Sequence, residues 1–279
     1  MKVLRKIEPA QKWFRAMQHA GRKIVFVPTM GALHEGHLSL MRRARRLAGR
    51  RGILAASIFV NPAQFGPRED YRRYPRPLKR DLMLCRKAGV DVAFVPSASS
   101  MYAADHSVWV DESSLSKVLC GRSRPGHFRG VCTVVAKLFN IIGPDAAVFG
   151  QKDFQQVQVI RRMVRDLNFP VRIVMAPTLR QRDGLAMSSR NIYLSADERR
   201  IAPKIFTALS NARRLVRRRP LAAKTLAREI SKGLRGFRID YVEIVEAETL
   251  FPVKTARHGN CVAVAVFLGK TRLIDNLIL

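Results

Sequence analysis

Short apolar runs alternate with amphipathic segments over the first two thirds of the chain. Ile53–Val60 is almost continuously apolar, which predicts a strand buried on both faces. Other short runs of the same character predict further strands at Ile24–Val27, Val90–Val95, Ala146–Phe149 and Val171–Met175.

The segments between these runs repeat their apolar residues at helical spacing. After Gly31, one apolar face is formed by Leu38, Met41, Ala44 and Leu47. Further helices are predicted at Leu78–Ala88, Gly130–Ile142 and Phe154–Leu167. This alternation predicts an α/β fold with a Rossmann-like, doubly wound parallel sheet. Ligands of such sheets bind beyond the carboxyl ends of the strands.

The pattern changes after about Pro177. Ser195-Ala196-Asp197-Glu198 is a capping box that predicts the start of a long helix, and a second helix is expected after Pro220. Three strands follow, at Ile239–Val245, Cys261–Leu268 and Arg272–Ile274. We therefore expect a larger domain over residues 1–177 and a smaller C-terminal α+β domain over residues 178–279.

Composition limits the class of protein. Hydrophobic residues make up 47% of the 279 residues, which excludes global disorder. No apolar run approaches the roughly 20 residues that cross a bilayer, and Met1–Gln11 lacks the apolar core of a signal peptide. The cysteines are widely separated, which favours a reduced, cytoplasmic compartment over a metal finger or a redox motif. They are Cys85, Cys120, Cys132 and Cys261.

The net charge of +30 comes from 51 basic and 21 acidic residues. A basic surface attracts phosphate, so nucleic-acid binding is one interpretation. The basic residues are scattered through helix-like stretches, however, and do not form one arm. We therefore favour a solvated, arginine-rich surface and expect no specific nucleic-acid partner.

The first polar string that could carry chemistry is Pro28–His37, which follows a strand and enters a helix. Backbone N–H groups at such a place favour phosphate. One helical turn would place His34 and His37 on the same face, where imidazoles can donate to phosphate oxygens. For an isolated pair, exposed or structurally bonded histidines remain the favoured interpretation, and a zinc site lacks a third ligand at suitable spacing.

Two further strings lie in predicted loops. Asn61 and Gln64 follow the most apolar strand, and their amides can bind hydroxyl and carboxylate groups, although an ordinary Asn-Pro turn is the alternative. Ser123–Gly130 is a basic, glycine-flanked loop, for which a loop-shaping role is favoured over ligand contact. Glu69 is interpreted as structural.

The last two strings offer positive charge. Lys152 could bind phosphate and Asp153 could accept ribose hydroxyls, but a solvated lysine and a capping aspartate explain the spacing better on their own. Met187–Asn191 carries two hydroxyls and a guanidinium that could hold a triphosphate.

These strings together carry a resemblance. The H-x-G-H string of residues 34–37 resembles the nucleotidyltransferase superfamily, and Pro28–His37 resembles the pantothenate synthetase family. The other strings occur in that family's order, and Leu273–Asn276 fits it too, so the resemblance covers about residues 22–276. Gln151 replaces the Glu of many relatives, and we expect only a backbone contact there.

The resemblance implies roles for individual residues. Residues that would bind ATP are Met30, Gly31, His34, His37, Gly150, Gln151, Lys152, Asp153, Leu179, Met187, Ser188, Ser189 and Arg190. Residues that would bind pantoate or β-alanine are Asn61, Gln64 and Gln156. The implied catalytic set has His37 as proton donor, assisted by His34, Lys152, Ser188, Ser189 and Arg190.

The resemblance also implies a reaction. Pantoate and β-alanine would be condensed to pantothenate through a pantoyl-adenylate, with release of pyrophosphate and AMP from ATP. Mg²⁺ would be held mainly by the phosphates of ATP, with no dedicated metal site in the protein. The family is typically a homodimer in the cytoplasm, and no membrane partner is expected.

Two other functions fit part of the sequence. An adenylyl or cytidylyl transferase for another acid would share the histidine pair and the Ser-Ser-Arg loop, but it need not share Asn61, Gln64 and Gln156. A non-enzymatic RNA-binding protein would explain the charge, but it would leave the five ordered strings unexplained.

Overall fold

The computed structural model describes residues 1–67 and 69–279. Its strands are β1 (Lys2–Leu4), β2 (Ile24–Thr29), β3 (Ile53–Ile58), β4 (Val92–Phe94), β5 (Ala146–Gly150), β6 (Arg172–Ala176), β7 (Leu221–Ala222), β8 (Arg238–Val245), β9 (Thr255–Ala256), β10 (Cys261–Leu268) and β11 (Thr271–Ile278).

Its α-helices are α1 (Ile7–His19), α2 (Glu35–Ala48), α3 (Leu78–Lys87), α4 (Ala98–Met101), α5 (Cys120–Ser123), α6 (His127–Ile142), α7 (Phe154–Asp166), α8 (Ala196–Ile201), α9 (Lys204–Arg218) and α10 (Ala223–Gly233). Short 3₁₀ turns lie at Pro62–Gln64, Leu115–Lys117, Gln151–Asp153 and Ser189–Tyr193.

The chain forms two compact units. The first consists of Met1–Ser113, Arg124–Gly150 and Val159–Ala176, and the second of Ser114–Ser123, Gln151–Gln158 and Pro177–Leu279. The second unit thus includes two short segments that precede Pro177 in the chain. The division into domains at residue 177 stays a prediction.

The first unit is built on a six-stranded sheet in the order β1-β4-β3-β2-β5-β6, and every pairing is parallel. Successive residues of a strand point to opposite faces, so the complete burial of Ile53–Ile58 shows that both faces are covered. On one face, Met41 and Ala44 of α2 belong to the same core cluster as Val25 and Leu54. The predicted doubly wound α/β sheet is confirmed.

The second unit contains an antiparallel sheet in the order β11-β10-β8 and a small β7-β9 pair. Its core joins alternate residues of β10, such as Val262 and Val264, to Leu209 of α9 and Leu226 of α10. The C-terminal region therefore has the predicted α+β composition, with a small antiparallel sheet packed against helices.

The structure differs from the prediction at several elements. Strand β1 and helix α1 were not predicted: β1 has only three residues, too few to show alternation, and the helical spacing of Ile7, Ala10, Phe14 and Met17 was missed. The capping box at Ser195 begins the six-residue α8 and no long helix, since Pro203 has no N–H to continue the ladder and α9 begins beyond it. Strand β11 extends to Ile278, beyond the predicted Ile274.

The four cysteines are free and buried. Burial raises the pKa of the Cys85 and Cys132 thiols to about 12. Over residues 1–67 and 69–279, no helix is both long and apolar enough to cross a membrane.

Gly130 sets the distance between α6 and the turn Pro62–Gln64. A Cβ atom at Gly130 would lie 2.2 Å from the carbonyl oxygen of Ala63, a distance that real contacts do not show. The backbone of this turn would therefore have to move if any side chain were present.

We expect Gly130→Ala to lower the free energy of unfolding by about 2 kcal/mol or more, because overpacking against backbone cannot relax cheaply. Chemical denaturation measures this loss. Gly66→Ala is the matched control, since its Cβ would have ordinary contacts at 3.7 Å or more, and it should be nearly neutral. Equal losses in the two variants would contradict the steric explanation.

Candidate functional site

The carboxyl ends of β2 and β3 lie level at one edge of the parallel sheet. Thr29 pairs with Ile58, and the Phe59 N–H donates to the Thr29 carbonyl at 3.1 Å. The strings that begin at Met30 and at Asn61 therefore leave the same edge of the sheet.

The loop after β2 takes a tight path that is fixed by side-chain hydrogen bonds. Gly31 and Ala32 have φ angles of 80° and 50°, in the left-handed region. The Gly31 N–H donates to the Thr29 hydroxyl at 3.2 Å. The N–H groups of Ala32 and Leu33 donate to the Asp81 carboxylate at 2.9 and 2.8 Å. A protein carboxylate thus occupies two of the N–H groups of the string in which phosphate binding was expected.

The two histidines cap helix α2 for each other. The His34 N–H donates to Nδ1 of His37 at 3.3 Å, and Nδ1 of His34 accepts from the Gly36 N–H at 3.1 Å. Their ring centroids are 4.1 Å apart. Because each Nδ1 accepts a hydrogen bond, the neutral form of each ring carries its proton on Nε2. The arrangement gives two Nε2–H donors on neighbouring rings.

Asn61 and Gln64 form one buried amide cluster. Asn61 Nδ2 donates to Gln64 Oε1 at 3.1 Å and to the Gly130 carbonyl at 3.0 Å, and its Oδ1 accepts from the Tyr102 hydroxyl at 2.8 Å. Gln64 Nε2 lies 3.1 Å from Met30 Sδ. The structure therefore brings together Asn61, Gln64 and Met30.

The basic loop before α6 also holds the turn Pro62–Gln64 in place. Arg124 binds the Glu69 carboxylate through two hydrogen bonds of 2.7 and 2.5 Å. His127 Nδ1 donates to the Gln64 carbonyl at 2.8 Å. Burial raises the pKa of Glu69, but the hydrogen bond and charge of Arg124 outweigh it and hold the pKa below its usual value. These contacts agree with a loop-shaping role.

In the second unit, the turn Gln151–Asp153 is anchored by Asn276 of β11. Asn276 Nδ2 donates to the carbonyls of Gln151 and Lys152 at 2.8 and 2.9 Å. Lys152 Nζ lies 3.6 Å from the Asp153 carboxylate, and both side chains are partly exposed. The turn therefore presents its side chains while its backbone is held.

Adjacent glutamines on α7 have different environments. Gln155 is buried, donates to the carbonyls of Leu115 and Val118, and accepts from the Cys120 N–H at 2.9 Å. Gln156 is only partly buried. The predicted substrate-binding position is thus the accessible member of the pair.

The Ser-Ser-Arg string follows a short hairpin in which the Met187 N–H donates to the Leu179 carbonyl at 3.0 Å. Arg180 anchors the hairpin through hydrogen bonds of 2.6 and 2.9 Å to the buried Asp275 carboxylate. The Ser188 hydroxyl accepts from the Arg190 N–H at 3.2 Å and caps the 3₁₀ turn that begins at Ser189.

The predicted site residues divide between the two units. The first unit carries Met30, Gly31, His34, His37, Asn61, Gln64 and Gly150. The second carries Gln151, Lys152, Asp153, Gln156, Leu179, Met187, Ser188, Ser189 and Arg190. Within the described part of the chain, no three His, Cys, Asp or Glu side chains group as they would around a metal ion.

Comparison with known proteins adds the family. The sequence matches the pantoate-beta-alanine ligase family over residues 2–278. The chain belongs to the pantoate–β-alanine ligase family.

Relatives of this family match along their whole length. A pantothenate synthetase from Thermotoga petrophila is 53% identical over 282 residues, which cover 100% of both chains. The crystal structure of pantothenate synthetase from Thermus thermophilus superposes with a TM-score of 0.91 at 44% identity and covers 100% of this chain and 99% of that one. The pantoate-beta-alanine ligase from Francisella tularensis, complexed with beta-gamma ATP and beta-alanine, has a TM-score of 0.81 at 33% identity and covers 100% and 97% of the two chains.

Several residues that hold the loops of this ligase-family chain were not predicted from the sequence. These are Thr29, Asp81, Gln155 and Arg180. One of them left a signal: Asp81 lies four residues before Cys85 on α3, so the helical spacing places a carboxylate on the buried face. An acidic residue at a core position requires a hydrogen-bond donor or a positive charge nearby.

We expect Glu69→Gln to lower the free energy of unfolding at neutral pH by about 1–2 kcal/mol, because a charge-assisted bond to Arg124 is lost. Since the folded-state pKa of Glu69 is lowered, its stabilisation is present above the unfolded pKa and is lost as pH falls through the folded pKa. Denaturation curves of both proteins between neutral and acidic pH should therefore converge at the acidic end. Glu229→Gln, in an exposed pair with Lys232, is the control and should change little. A gap that persists at low pH would contradict this account.

We expect Asn276→Ala to loosen the turn Gln151–Asp153, because two carbonyl groups lose their donor, at a cost of about 1–3 kcal/mol. Hydrogen exchange should be faster in residues 151–155 than in the parent protein. Asn211→Ala, on the exposed side of α9, should leave that exchange unchanged. Unchanged protection in Asn276→Ala would show that other contacts hold the turn.

Proposed function

We propose that this chain condenses pantoate with β-alanine at the expense of ATP and forms pantothenate, AMP and pyrophosphate through a pantoyl-adenylate. Membership of the family over residues 2–278 supports this function. A structural relative with 33% identity is described with beta-gamma ATP and beta-alanine bound. The observation that carries the chemistry is the reciprocal capping of His34 and His37, which fixes both Nε2–H donors.

In the first step, a carboxylate oxygen of pantoate attacks the α-phosphorus of ATP, and the bond to the pyrophosphate oxygen breaks. Negative charge grows on the oxygens of the phosphoryl group. We assign His34 and His37 to donate to these oxygens through Nε2, with Lys152 as a point charge. No covalent bond to the protein is needed, so positioning and charge stabilisation account for the rate.

In the second step, the amine of β-alanine attacks the activated carbonyl carbon, and AMP leaves. We assign Gln64 and Gln156 to orient pantoate, with Asn61 as the support of Gln64. The remaining ATP contacts are assigned to Met30, Gly31, Gly150, Gln151, Asp153, Leu179, Met187, Ser188, Ser189 and Arg190. The hydroxyls and guanidinium of the Ser-Ser-Arg string suit a triphosphate.

Mg²⁺ is proposed to arrive with the triphosphate. The phosphate oxygens would be its main ligands, as the family resemblance implies. A cytoplasmic location and a homodimer are proposed from the family resemblance, and sedimentation of the purified protein tests the second.

We expect AMP and pyrophosphate release from Mg²⁺-ATP to require both pantoate and β-alanine for multiple turnovers, with pantothenate as the co-product. His37→Asn should lower kcat by about 100-fold or more, because an oriented donor to developing charge is lost. Asparagine keeps an acceptor near the position of Nδ1, so the helix cap survives in this variant. His258→Ala, an exposed histidine far along the chain, is the control and should keep full activity. Absence of pantoate-dependent turnover in the parent protein would refute the ligase function.

Changes at the two assigned glutamines separate this function from an adenylyl transferase for another acid. Gln64→Ala and Gln156→Ala should each raise the KM for pantoate about 10-fold or more, as expected when a hydrogen bond worth about 1.4 kcal/mol or more is lost. Steady-state kinetics measure this, with Gln11→Ala on α1 as the control. An unchanged KM for pantoate in both variants would favour the rival enzyme.

A further inference from the structure

Asp81 is a buried carboxylate that no step of the proposed mechanism uses. It lies in the first turn of α3 with 1% of its surface exposed. Its two oxygens each accept one backbone hydrogen bond, Oδ2 from Ala32 and Oδ1 from Leu33. Burial raises the pKa of Asp81 by more than these two bonds and the charge of Arg80 lower it, so the pKa lies above its usual value. Burying a carboxylate is costly, so the hydrogen bonds that Asp81 accepts must compensate for its burial.

The loop that Asp81 holds is conformationally costly. A left-handed conformation is unfavourable for a non-glycine residue, and Ala32 adopts it with a φ of 50°. The space is closed as well, because a Cβ at Gly31 would lie 2.9 Å from Asp81 Oδ2 and 3.1 Å from Ile58 Cγ2. Strained backbone of this kind persists only where its surroundings hold it.

The held segment leads directly to the histidine pair. Leu33 precedes His34, which is the N-cap residue of α2. The N–H of His34 is the donor that keeps His37 Nδ1 unprotonated. A shift of the Ala32–Leu33 backbone would therefore move both rings and weaken the bond that sets the tautomer. In addition, the carboxylate occupies the N–H groups of Ala32 and Leu33, which would otherwise attract phosphate.

We propose that Asp81 is a positioning residue: by binding the N–H groups of Ala32 and Leu33, it holds His34 and His37 in the orientation that presents Nε2 to the reacting phosphate. This inference rests on the proposed function for its kinetic consequence. Its structural consequence, the state of the two rings, can be measured without turnover.

The decisive variant is Asp81→Asn, which keeps the shape but replaces one acceptor with a donor that faces a backbone N–H. Asp145→Asn is the control for a change of charge near the same sheet, because the carboxylate of the exposed Asp145 accepts from a backbone N–H of β2, that of Ile24 at 2.6 Å. Ile24 and Thr29 are five residues apart, so the control lies about 16 Å away along the strand.

We expect Asp81→Asn to lower kcat about 10- to 100-fold with the KM for β-alanine unchanged, whereas Asp145→Asn keeps both. Asp81→Asn should lose more stability than Asp145→Asn, because Asp81 is buried and Asp145 is exposed. Long-range ¹H–¹⁵N spectra of the histidine rings, recorded without substrates, should show His34 and His37 with protonated Nε2 in the parent protein. In Asp81→Asn a second population with protonated Nδ1 should appear.

Asp81→Glu provides a second variant in case the asparagine protein does not fold. It keeps the charge and both acceptors but moves them by one methylene group, and it should also lower kcat. A folded Asp81 variant with parental kcat and unchanged ring spectra would overturn the inference. So would a parallel fall of activity in Asp81→Asn and Asp145→Asn. A parent protein without turnover would count against the proposed function alone, because the ring spectra still test the role of Asp81.

Discussion

Backbone groups that leave a strand inside a protein must find new hydrogen-bond partners, and this constraint shapes the loops of this chain. After β2, the partners are the hydroxyl of Thr29 and the carboxylate of Asp81. After β3, the amide of Asn61 and the ring of His127 serve the turn that carries Gln64. In the second unit, Asn276 does the same for the turn Gln151–Asp153.

This constraint links folding to chemistry. A polar side chain that satisfies a loop backbone also fixes the direction of the side chains that the loop carries. The histidine pair is the clearest case, since the bonds that cap α2 are the bonds that leave the ring proton on Nε2. Gln155 and Gln156 are neighbours on one helix with different roles. The buried Gln155 binds the backbone of residues 115–120, whereas the accessible Gln156 is proposed to bind substrate.

The periodicity of apolar residues was sufficient to predict the parallel sheet and most of the helices that pack on it. The fully buried run at β3 and the alternation of strands and helices predicted the parallel sheet, because burial on both faces leaves a continuous apolar signal. It failed for the three-residue β1, which is too short to show alternation and pairs with the distant β4, and the amphipathic spacing of α1 was missed. It also joined α8 and α9, because a capping box marks where a helix begins and not where Pro203 ends it.

Site residues could be predicted from the sequence only where the side chain has a functional group typical of binding or catalysis. Histidines, amides and the Ser-Ser-Arg string could be singled out, and the resemblance to a family supplied their roles. Asp81 and Arg180 could not be assigned in this way, because their partners are a backbone N–H pair and a carboxylate 95 positions away. Such contacts are decided by the tertiary fold and not by spacing.

The burial of the four cysteines gives the protein an intrinsic reporter of its own opening. The thiolate is the reactive form, and burial both blocks access and keeps Cys85 and Cys132 protonated far above neutral pH. An alkylating reagent would therefore modify these two thiols only in molecules that have opened around β3 and α3 or around α6. Helix α3 holds the histidine loop through Asp81, and α6 holds the Gln64 turn through Gly130 and His127. The alkylation rate therefore follows the population in which these supports have opened, without any label being introduced.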